Sequence, residues 1–149
     1  MSKQQLSIAI TGAGGAGVIS CGELLLQAWA RQGGRGLLRK AYGPQIRGGE
    51  SAALLKLTED ERYTAASDYD VVVALDWDNF SRFEDEICLG PDSWVFCEQE
   101  GERPAAVAAV DPRVLRVPLA DLAAASHPDG RVNMVALGLL GGLLGLPAA

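Results

Sequence analysis

The 149-residue sequence lacks the side-chain clusters from which a self-contained catalytic site is built. Its one histidine, His127, lies in a Ser-His-Pro-Asp-Gly segment typical of a loop, so no Ser-His-Asp or Cys-His arrangement can be assembled. The three cysteines, Cys21, Cys88 and Cys97, lack the C-x-x-C spacing of zinc and iron–sulfur sites, and we expect reduced, mostly buried thiols. We therefore predict no catalytic residue and no metal ion in this chain.

An excess of cationic residues and a long apolar run are also missing, and we expect no signal peptide. The 13 Lys and Arg residues are scattered and outnumbered by 19 Asp and Glu, which argues against a nucleic-acid partner. No apolar run is long enough to cross a bilayer, and residues 1–5 lead into a strand pattern, unlike a signal peptide. We expect a cytoplasmic protein with no membrane partner, folded as a single domain over residues 1–149.

What the sequence does contain is a glycine-rich turn between a strand and a helix. Residues 7–11 are short, apolar or β-branched, and a helical pattern of apolar residues runs from Val18 to about Gln32. The glycines between them are Gly12, Gly14, Gly15 and Gly17, which fit G-x-G-x-x-G in the context that this motif requires. Such a turn predicts phosphate or pyrophosphate binding. The alternative is that the glycines serve only a tight crossing and close packing.

The strand after this helix does not fit a NAD site. A dinucleotide-binding unit places an acidic residue near the end of its second strand to hold the ribose hydroxyls. Between Glu23 and Glu50 the chain has no acidic residue, and the strand carries Arg39 and Lys40. Three possibilities remain open. The ligand could be 2′-phosphorylated, such as NADP, it could be coenzyme A, or the chain could bind no nucleotide at all.

A second loop follows this strand, and small residues and a proline frame it. Arg47 is flanked by glycines on one side and could bind a carboxylate or phosphate through its planar guanidinium. Alternatively, Arg47 ties its own loop by pairing with Glu50 or a backbone carbonyl. The residues that we predict to face a partner or an active site are Tyr42, Gln45, Arg47, Gly48, Gly49 and Glu50.

The strand pattern predicts an α/β fold. Residues 36–42 and 51–57 read as strands whose connection is too short for a crossover helix, so we expect the second to be antiparallel to the first. Residues 71–75 read as a central parallel strand covered on both faces. The predicted fold is a three-layer, Rossmann-like open sheet, mostly parallel with one antiparallel strand.

Polar side chains stand directly past the strand at 71–75. Ligands of open α/β sheets bind beyond the carboxyl ends of strands, which makes Asp76 and Asn79 candidates for ligand binding. The interpretation that we favour is that Asp76 or Asp78 caps a helix starting here.

The last third of the chain predicts two strands and two helices. The strands lie at 93–97 and 113–118, the second on a sheet edge and closed by a proline. A short helix over 119–125 precedes a last helix that begins near Arg131. Its predicted inward residues are Asn133, Met134, Ala136, Leu137, Leu140 and Leu144. The uncharged residues 139–147 are expected to pack against the domain's own sheet, a second subunit or another domain.

Four segments together resemble the gamma domain of 2-oxoacid:ferredoxin oxidoreductases. They are the glycine turn at 12–18, the loop at 42–50, the strand with its acid at 73–76 and the helix start at 133–138, and they occur in the order of that family. The loop most resembles the version fused at the N-terminus of the alpha subunits of 2-oxoglutarate and related enzymes. The resemblance implies either a separate small subunit or a piece of a longer chain whose next domain begins near the uncharged tail.

The resemblance implies a role within a larger enzyme. Such enzymes oxidatively decarboxylate a 2-oxoacid with coenzyme A to an acyl-CoA and pass electrons to ferredoxin. Thiamine diphosphate, magnesium and iron–sulfur clusters lie on partner domains, and this domain is expected to bind no cofactor alone. It would help form the coenzyme A channel and the interface with alpha and beta subunits, and self-association of an isolated copy is left open.

One position departs from the family pattern. Many relatives have glutamine where this chain has Ala16, so a side-chain contact to a ligand from that position is lost while backbone contacts are retained. Two other functions stay open at this point. One is a stand-alone NADP- or nucleotide-binding reductase domain, and the other is a non-catalytic interaction domain.

Overall fold

The computed structural model describes residues 5–43, 49–63, 68–98 and 100–147. These residues form six strands and five helices that alternate along much of the chain. The strands are β1 (Gln5–Ala13), β2 (Arg35–Tyr42), β3 (Glu50–Thr58), β4 (Tyr69–Ala74), β5 (Leu89–Glu98) and β6 (Arg113–Val117). The helices are α1 (Val18–Arg31), α2 (Trp77–Ser81), α3 (Ala105–Val110), α4 (Leu119–Ser126) and α5 (Val132–Leu143).

The strands form one sheet in the order β2-β3-β1-β4-β5-β6. Strands β1, β4, β5 and β6 pair in parallel, and β3 is antiparallel to both of its neighbours, β2 and β1. The mostly parallel sheet with one antiparallel strand is confirmed. Because β2 and β3 are joined by a short connection, β2 ends and β3 begins at the edge of the sheet where β1 also ends.

Helices cover both faces of the sheet, which confirms the three layers. One core contains side chains of β1, α1, α4 and α5, with Leu25 and Leu140 almost fully buried. The other core contains side chains of the alternate strand positions together with α2 and α3, with Phe80 and Val107 buried. The strand β4 contributes Val72 to one core and Val73 to the other, as expected for a central strand buried on both faces.

Helix α1 begins and ends at glycines. It starts after Gly17 and is followed by Gly33, whose φ of 86° is the left-handed conformation that commonly stops a helix. Trp29, in its last turn, donates from Nε1 to the carbonyl oxygen of Arg35 at 3.0 Å. The helix therefore packs on the sheet along its whole length and returns directly into β2.

The C-terminal helix differs from its prediction at one residue. Asn133, Ala136 and Leu140 are buried as expected, but Met134 is 43% exposed. Position 134 is rotated by about 100° from Asn133 around the helix axis and lies beside the buried face, so its side chain points away from the core. The apolar residues Leu144 and Leu146 after α5 contact the core that contains α1, whereas Leu143 is 56% exposed, and contact of the tail with a second subunit or another domain stays a prediction.

Of the three cysteines, Cys21 and Cys97 are buried and Cys88 is exposed. The expectation of mostly buried thiols is thus confirmed, and the exposed one is Cys88, which follows the helical turns after α2. Among the described residues, no helix is both long enough and apolar enough to cross a membrane.

Candidate functional site

A cleft of about 400 Å³ opens at the edge of the sheet where β1 ends and β3 begins. It brings together the glycine turn, the start of α1, both ends of the 42–50 loop and the residue before α5. The residues that line it are Gly14, Gly15, Gly17, Val18, Ile19, Ser20, Tyr42, Gly49, Glu50, Ser51 and Arg131. The edge at the carboxyl ends of parallel strands is where open α/β sheets bind ligands, so this cleft is the candidate site.

The glycines of the turn have different structural roles. Gly12 is buried, and a Cβ added there would lie 2.8 Å from Val18 Cγ2 and 3.1 Å from Leu75 Cδ1, so glycine permits the close approach of helix and strand. Gly15 and Gly17 have φ values of 84° and 78°, which side chains disfavour. A Cβ on Gly15 would meet no described atom within 4 Å. The backbone at Gly15 is therefore open to a ligand, whereas Gly12 is not.

Gly17 is held by the last helix. The Asn133 side chain, 5% exposed, donates from Nδ2 to the Gly17 carbonyl oxygen at 3.2 Å. A Cβ on Gly17 would overlap the Asn133 amide, with Cγ only 2.7 Å away. The turn is thus fixed from both sides, by its own helix α1 and by α5.

Ala16 does not line the cleft. Its N–H donates to the Ala13 carbonyl oxygen at 3.1 Å, closing the turn, and its methyl group contacts the core around α1.

The 42–50 loop contributes three of its predicted residues to the cleft. Tyr42, Gly49 and Glu50 line it, and the Gly43 N–H donates to the Glu50 carbonyl oxygen at 2.8 Å, which holds the two ends of the loop together. Gln45, Arg47 and Gly48 lie outside the described residues, so their predicted roles stay predictions.

The carboxylate of Glu50 is largely buried behind the cleft. Its side chain is 11% exposed, and its Oε1 atom forms an ion pair with Arg82 Nε at 3.2 Å. It also contacts Gly43, where an added Cβ would overlap its Oε2 atom. This carboxylate therefore has a cationic neighbour on the α2 side of the sheet and connects the loop to that side.

Asp76 caps α2, as favoured from the sequence. Its Oδ1 atom accepts from the Asn79 N–H and from Asn79 Nδ2, both at 2.7 Å. Neither residue is among those that line the cleft. Their hydrogen-bonding capacity is used within the cap, and a ligand role for Asp76 and Asn79 stays a prediction.

The basic residues Arg39 and Lys40 do not act together. They are neighbours in β2 and so point to opposite faces of the sheet. Arg39 pairs with Glu86 at 2.8 Å, and Lys40 pairs with Glu23, which raises the pKa of the lysine through a hydrogen bond and its charge. Because they point to opposite faces, the two side chains do not form a joint site for one phosphate group.

Arg131 is the functional candidate that the sequence analysis missed. It is the N-cap residue of α5, and it lines the cleft opposite the glycine turn. The available signal was its position just before the 133–138 segment. A single arginine ahead of a helix is common, and only the contact between α5 and α1 brings it to the turn.

The described residues do not fit a metal or redox centre. Within 5–43, 49–63, 68–98 and 100–147, no group of three or more His, Cys, Asp or Glu side chains is placed to hold a metal ion. Burial raises the pKa of the Cys21 thiol to about 12 and also raises that of Cys97, so both thiols are neutral near pH 7. Among the described residues that line the cleft there is no cysteine and no histidine, so the groups that it offers suit binding.

The family model described as pyruvate ferredoxin/flavodoxin oxidoreductase matches residues 7–149. The chain belongs to this family. The match covers both the glycine turn and the α5 segment, and it confirms the resemblance seen in the four segments.

Two relatives in the family share stretches of sequence with the chain. It is 40% identical over 58 residues to 2-oxoglutarate synthase subunit KorC of Archaeoglobus fulgidus, covering 39% of this chain and 31% of that subunit. It is 34% identical over 87 residues to ketoisovalerate oxidoreductase subunit VorA of Methanothermobacter thermautotrophicus, covering 58% of this chain and 18% of that subunit. The chain therefore spans less than a third of either relative.

Solved structures of family members have the same fold. A 2-oxoglutarate:ferredoxin oxidoreductase from Magnetococcus marinus, with 2-oxoglutarate, coenzyme A and succinyl-CoA bound, superimposes with a TM-score of 0.77 at 26% identity, covering 94% of this chain and 24% of that one. The pyruvate oxidoreductase subunit PORC from Thermotoga maritima gives a TM-score of 0.75 at 21% identity, covering 98% and 80%. At that identity, the second comparison shows the fold alone.

Proposed function

We propose that this chain is the gamma-type domain or subunit of a 2-oxoacid:ferredoxin oxidoreductase. The enzyme would convert a 2-oxoacid and coenzyme A to an acyl-CoA and carbon dioxide, passing two electrons to ferredoxin. The observation that carries the proposal is the family match over residues 7–149. The names of its relatives include 2-oxoglutarate, ketoisovalerate and pyruvate enzymes, which defines the substrates to be tested.

The role of this chain in that enzyme is binding. Thiamine diphosphate with its magnesium ion, and the iron–sulfur clusters, would be held by partner domains, as the family resemblance implies. This chain would supply one wall of the coenzyme A site from the glycine turn, where the open backbone at Gly15 can approach a ligand closely. Tyr42, Gly49 and Glu50, at the ends of the loop, would face the partner or the co-substrate, as would Gln45, Arg47 and Gly48.

Two observations support coenzyme A as the ligand of the cleft. The Magnetococcus marinus relative, which this chain matches over 94% of its length, contains bound coenzyme A. The cleft also has an arginine on one wall and serines on another, a set suited to phosphate oxygens. The NADP alternative is less well supported, because Arg39 and Lys40 point to opposite faces of the sheet and do not form a joint site for its 2′-phosphate.

An affinity purification from the native organism tests this function. The tagged chain, expressed at its native level under anaerobic conditions, is expected to retain proteins that carry thiamine diphosphate and iron–sulfur clusters. The eluate should reduce viologen dyes only when coenzyme A and one of the 2-oxoacids are both present. Pyruvate, 2-oxoglutarate and ketoisovalerate form the panel.

An unrelated α/β protein with the same tag is the control for adventitious capture. Recovery of the chain alone, or with proteins that show no coenzyme A-dependent activity on the panel, would contradict the proposed function. A complex that reduces viologen without requiring coenzyme A would contradict the proposed role of the cleft.

A further inference from the structure

Arg131 lies at the junction of two clefts. It lines the glycine-turn cleft together with Gly14 and Gly15. It also lines a second cleft of about 440 Å³, where its neighbours include His127, Met134 and Val135. A group bound at Arg131 therefore has space on both sides, which suits a ligand considerably longer than a single phosphate.

The guanidinium of Arg131 is available to a ligand. Arg131 is exposed, and its guanidinium forms no ion pair with any part of the chain that the structure describes. Most other arginines in those ranges differ in this respect, since Arg35, Arg39, Arg82, Arg103 and Arg113 each pair with a carboxylate. Glu50, the acidic residue that lines the same cleft, is already paired with Arg82.

The backbone of Arg131 has a fixed position relative to the glycine turn. Its carbonyl oxygen accepts from the N–H groups of Met134 and Val135 at 3.0 and 3.4 Å. Two residues further along the same turn, Asn133 is bonded to Gly17 and is 5% exposed. The cationic side chain and the open backbone at Gly15 are therefore presented to the cleft by parts of the chain that cannot move apart independently.

We propose that Arg131 binds a phosphate group of coenzyme A and sets the affinity of the assembled enzyme for this co-substrate. A planar guanidinium can donate two parallel hydrogen bonds to phosphate oxygens, and on a chain with a net charge of −6 a cation at the cleft makes the local field more favourable to an anionic ligand. This inference rests on the proposed function. The inference adds to the proposed function one named side chain that lies outside the glycine turn and the 42–50 loop.

The test compares variants of the assembled enzyme. In Arg131→Gln we expect the KM for coenzyme A to rise about 10- to 100-fold, the range expected when a charge-assisted hydrogen bond is lost. Both kcat and the KM for the 2-oxoacid should stay within about twofold, because the contact is made equally in ground and transition states. Arg131→Lys should give a smaller rise, since lysine keeps the charge and loses the bidentate geometry.

Arg31→Gln is the matched control. It removes the same charge from an exposed arginine in the last turn of α1, at the opposite end of that helix from the cleft. The control should leave the KM for coenzyme A within about twofold of the unmodified enzyme, since a charge at that distance is screened.

A second arm identifies the phosphate. Dephospho-coenzyme A lacks the 3′-phosphate and keeps the diphosphate. If Arg131→Gln no longer weakens binding of this analogue, the arginine contacts the 3′-phosphate. If the same rise in KM persists, it contacts the diphosphate.

Two results would overturn the assignment, and they are distinguishable. An active, coenzyme A-dependent enzyme in which Arg131→Gln behaves like Arg31→Gln would remove Arg131 from the site and leave the proposed function intact. An assembled enzyme without coenzyme A-dependent activity would remove both.

Discussion

Single side chains in this protein have roles that can be separated by substitution. Asp76 is a clear case, because its carboxylate accepts from the Asn79 N–H at 2.7 Å at the start of α2. We expect Asp76→Ala to lower the free energy of unfolding by about 1 kcal/mol, since the helix loses its cap. Urea denaturation of the purified chain measures the change.

Two variants control the cap prediction. Asp76→Asn keeps an acceptor at the cap and should be close to neutral, because asparagine is an equally good N-cap residue. Asp78→Ala removes a charge from the same turn without removing the cap. If all three variants unfolded at the same urea concentration, the cap would not contribute to stability.

Because of Cys21, the free energy of unfolding should depend on pH in the alkaline range. Burial raises its pKa from 9.0 to about 12, so above pH 9 the unfolded chain releases the thiol proton while the folded chain retains it. Its contribution is complete below pH 9, and stability falls as the pH rises from 9 toward 12. The fall due to one such group approaches about 1.4 kcal/mol per pH unit.

Cys21→Ala should make this alkaline fall shallower. The variant loses some stability at pH 7, because it leaves space in the core, and then loses less per pH unit between pH 9 and 10.5 than the unmodified chain. The measurement is denaturant unfolding under reducing conditions across that pH range. Cys88→Ala, at an exposed position, should leave the slope unchanged. Parallel slopes for the unmodified chain and Cys21→Ala would refute the coupling.

The sequence correctly predicted the residues whose structural role depends only on their neighbours along the chain. The glycine turn and the Asp76 cap depend on neighbours within a few positions, so the sequence pattern was sufficient to predict both. Arg131 was missed because its proximity to Gly15 depends on how α5 packs on α1. Met134 was placed inside because its apolar character suits a buried face, although its position on the helix does not.

At the scale of elements, the contact between α1 and α5 determines the shape of the turn. Gly15 and Gly17 both have left-handed φ values, but only Gly17 is pressed against another side chain, that of Asn133. We expect Gly15→Ala to cost about 1 to 2 kcal/mol of unfolding free energy from backbone strain alone. Gly17→Ala should cost roughly 1 to 3 kcal/mol more, because it also displaces Asn133 from a buried hydrogen bond.

Urea denaturation of the two variants side by side tests this difference. Gly15→Ala serves as the control, since it carries the same backbone strain and an added methyl group that meets no described atom. Equal losses for the two variants would mean that the contact with Asn133 does not restrain the turn.

Strands and helices were predicted well where their patterns are strong. Helix α1 and strands β2, β3 and β4 lie within two residues of their predicted limits. Strand β5 begins at Leu89, four residues before its prediction, because a proline and an aspartate precede its apolar run and are not typical of strands. The antiparallel direction of β3 followed from the short connection alone.

At the scale of the whole molecule, the layers of the fold could be predicted from the sequence, but the order of the strands in the sheet could not. The alternation of strands and helices predicts an open sheet covered on both faces. Which strands lie side by side depends on pairing between distant segments, and β3 inserts between β2 and β1. That insertion places the two ends of the 42–50 loop beside the glycine turn, so the cleft could be suspected from the two motifs but not located.

The hydrogen bond between Asn133 and Gly17 joins residues 116 positions apart in the chain. At a synthesis rate of about 5–20 residues per second, roughly 6 to 23 seconds separate the two residues on the ribosome. The glycine turn is therefore made well before the residue that holds it, and it lacks this hydrogen bond until α5 has been synthesised. We therefore expect a chain that ends before α5 to hold the turn less firmly than the complete domain does.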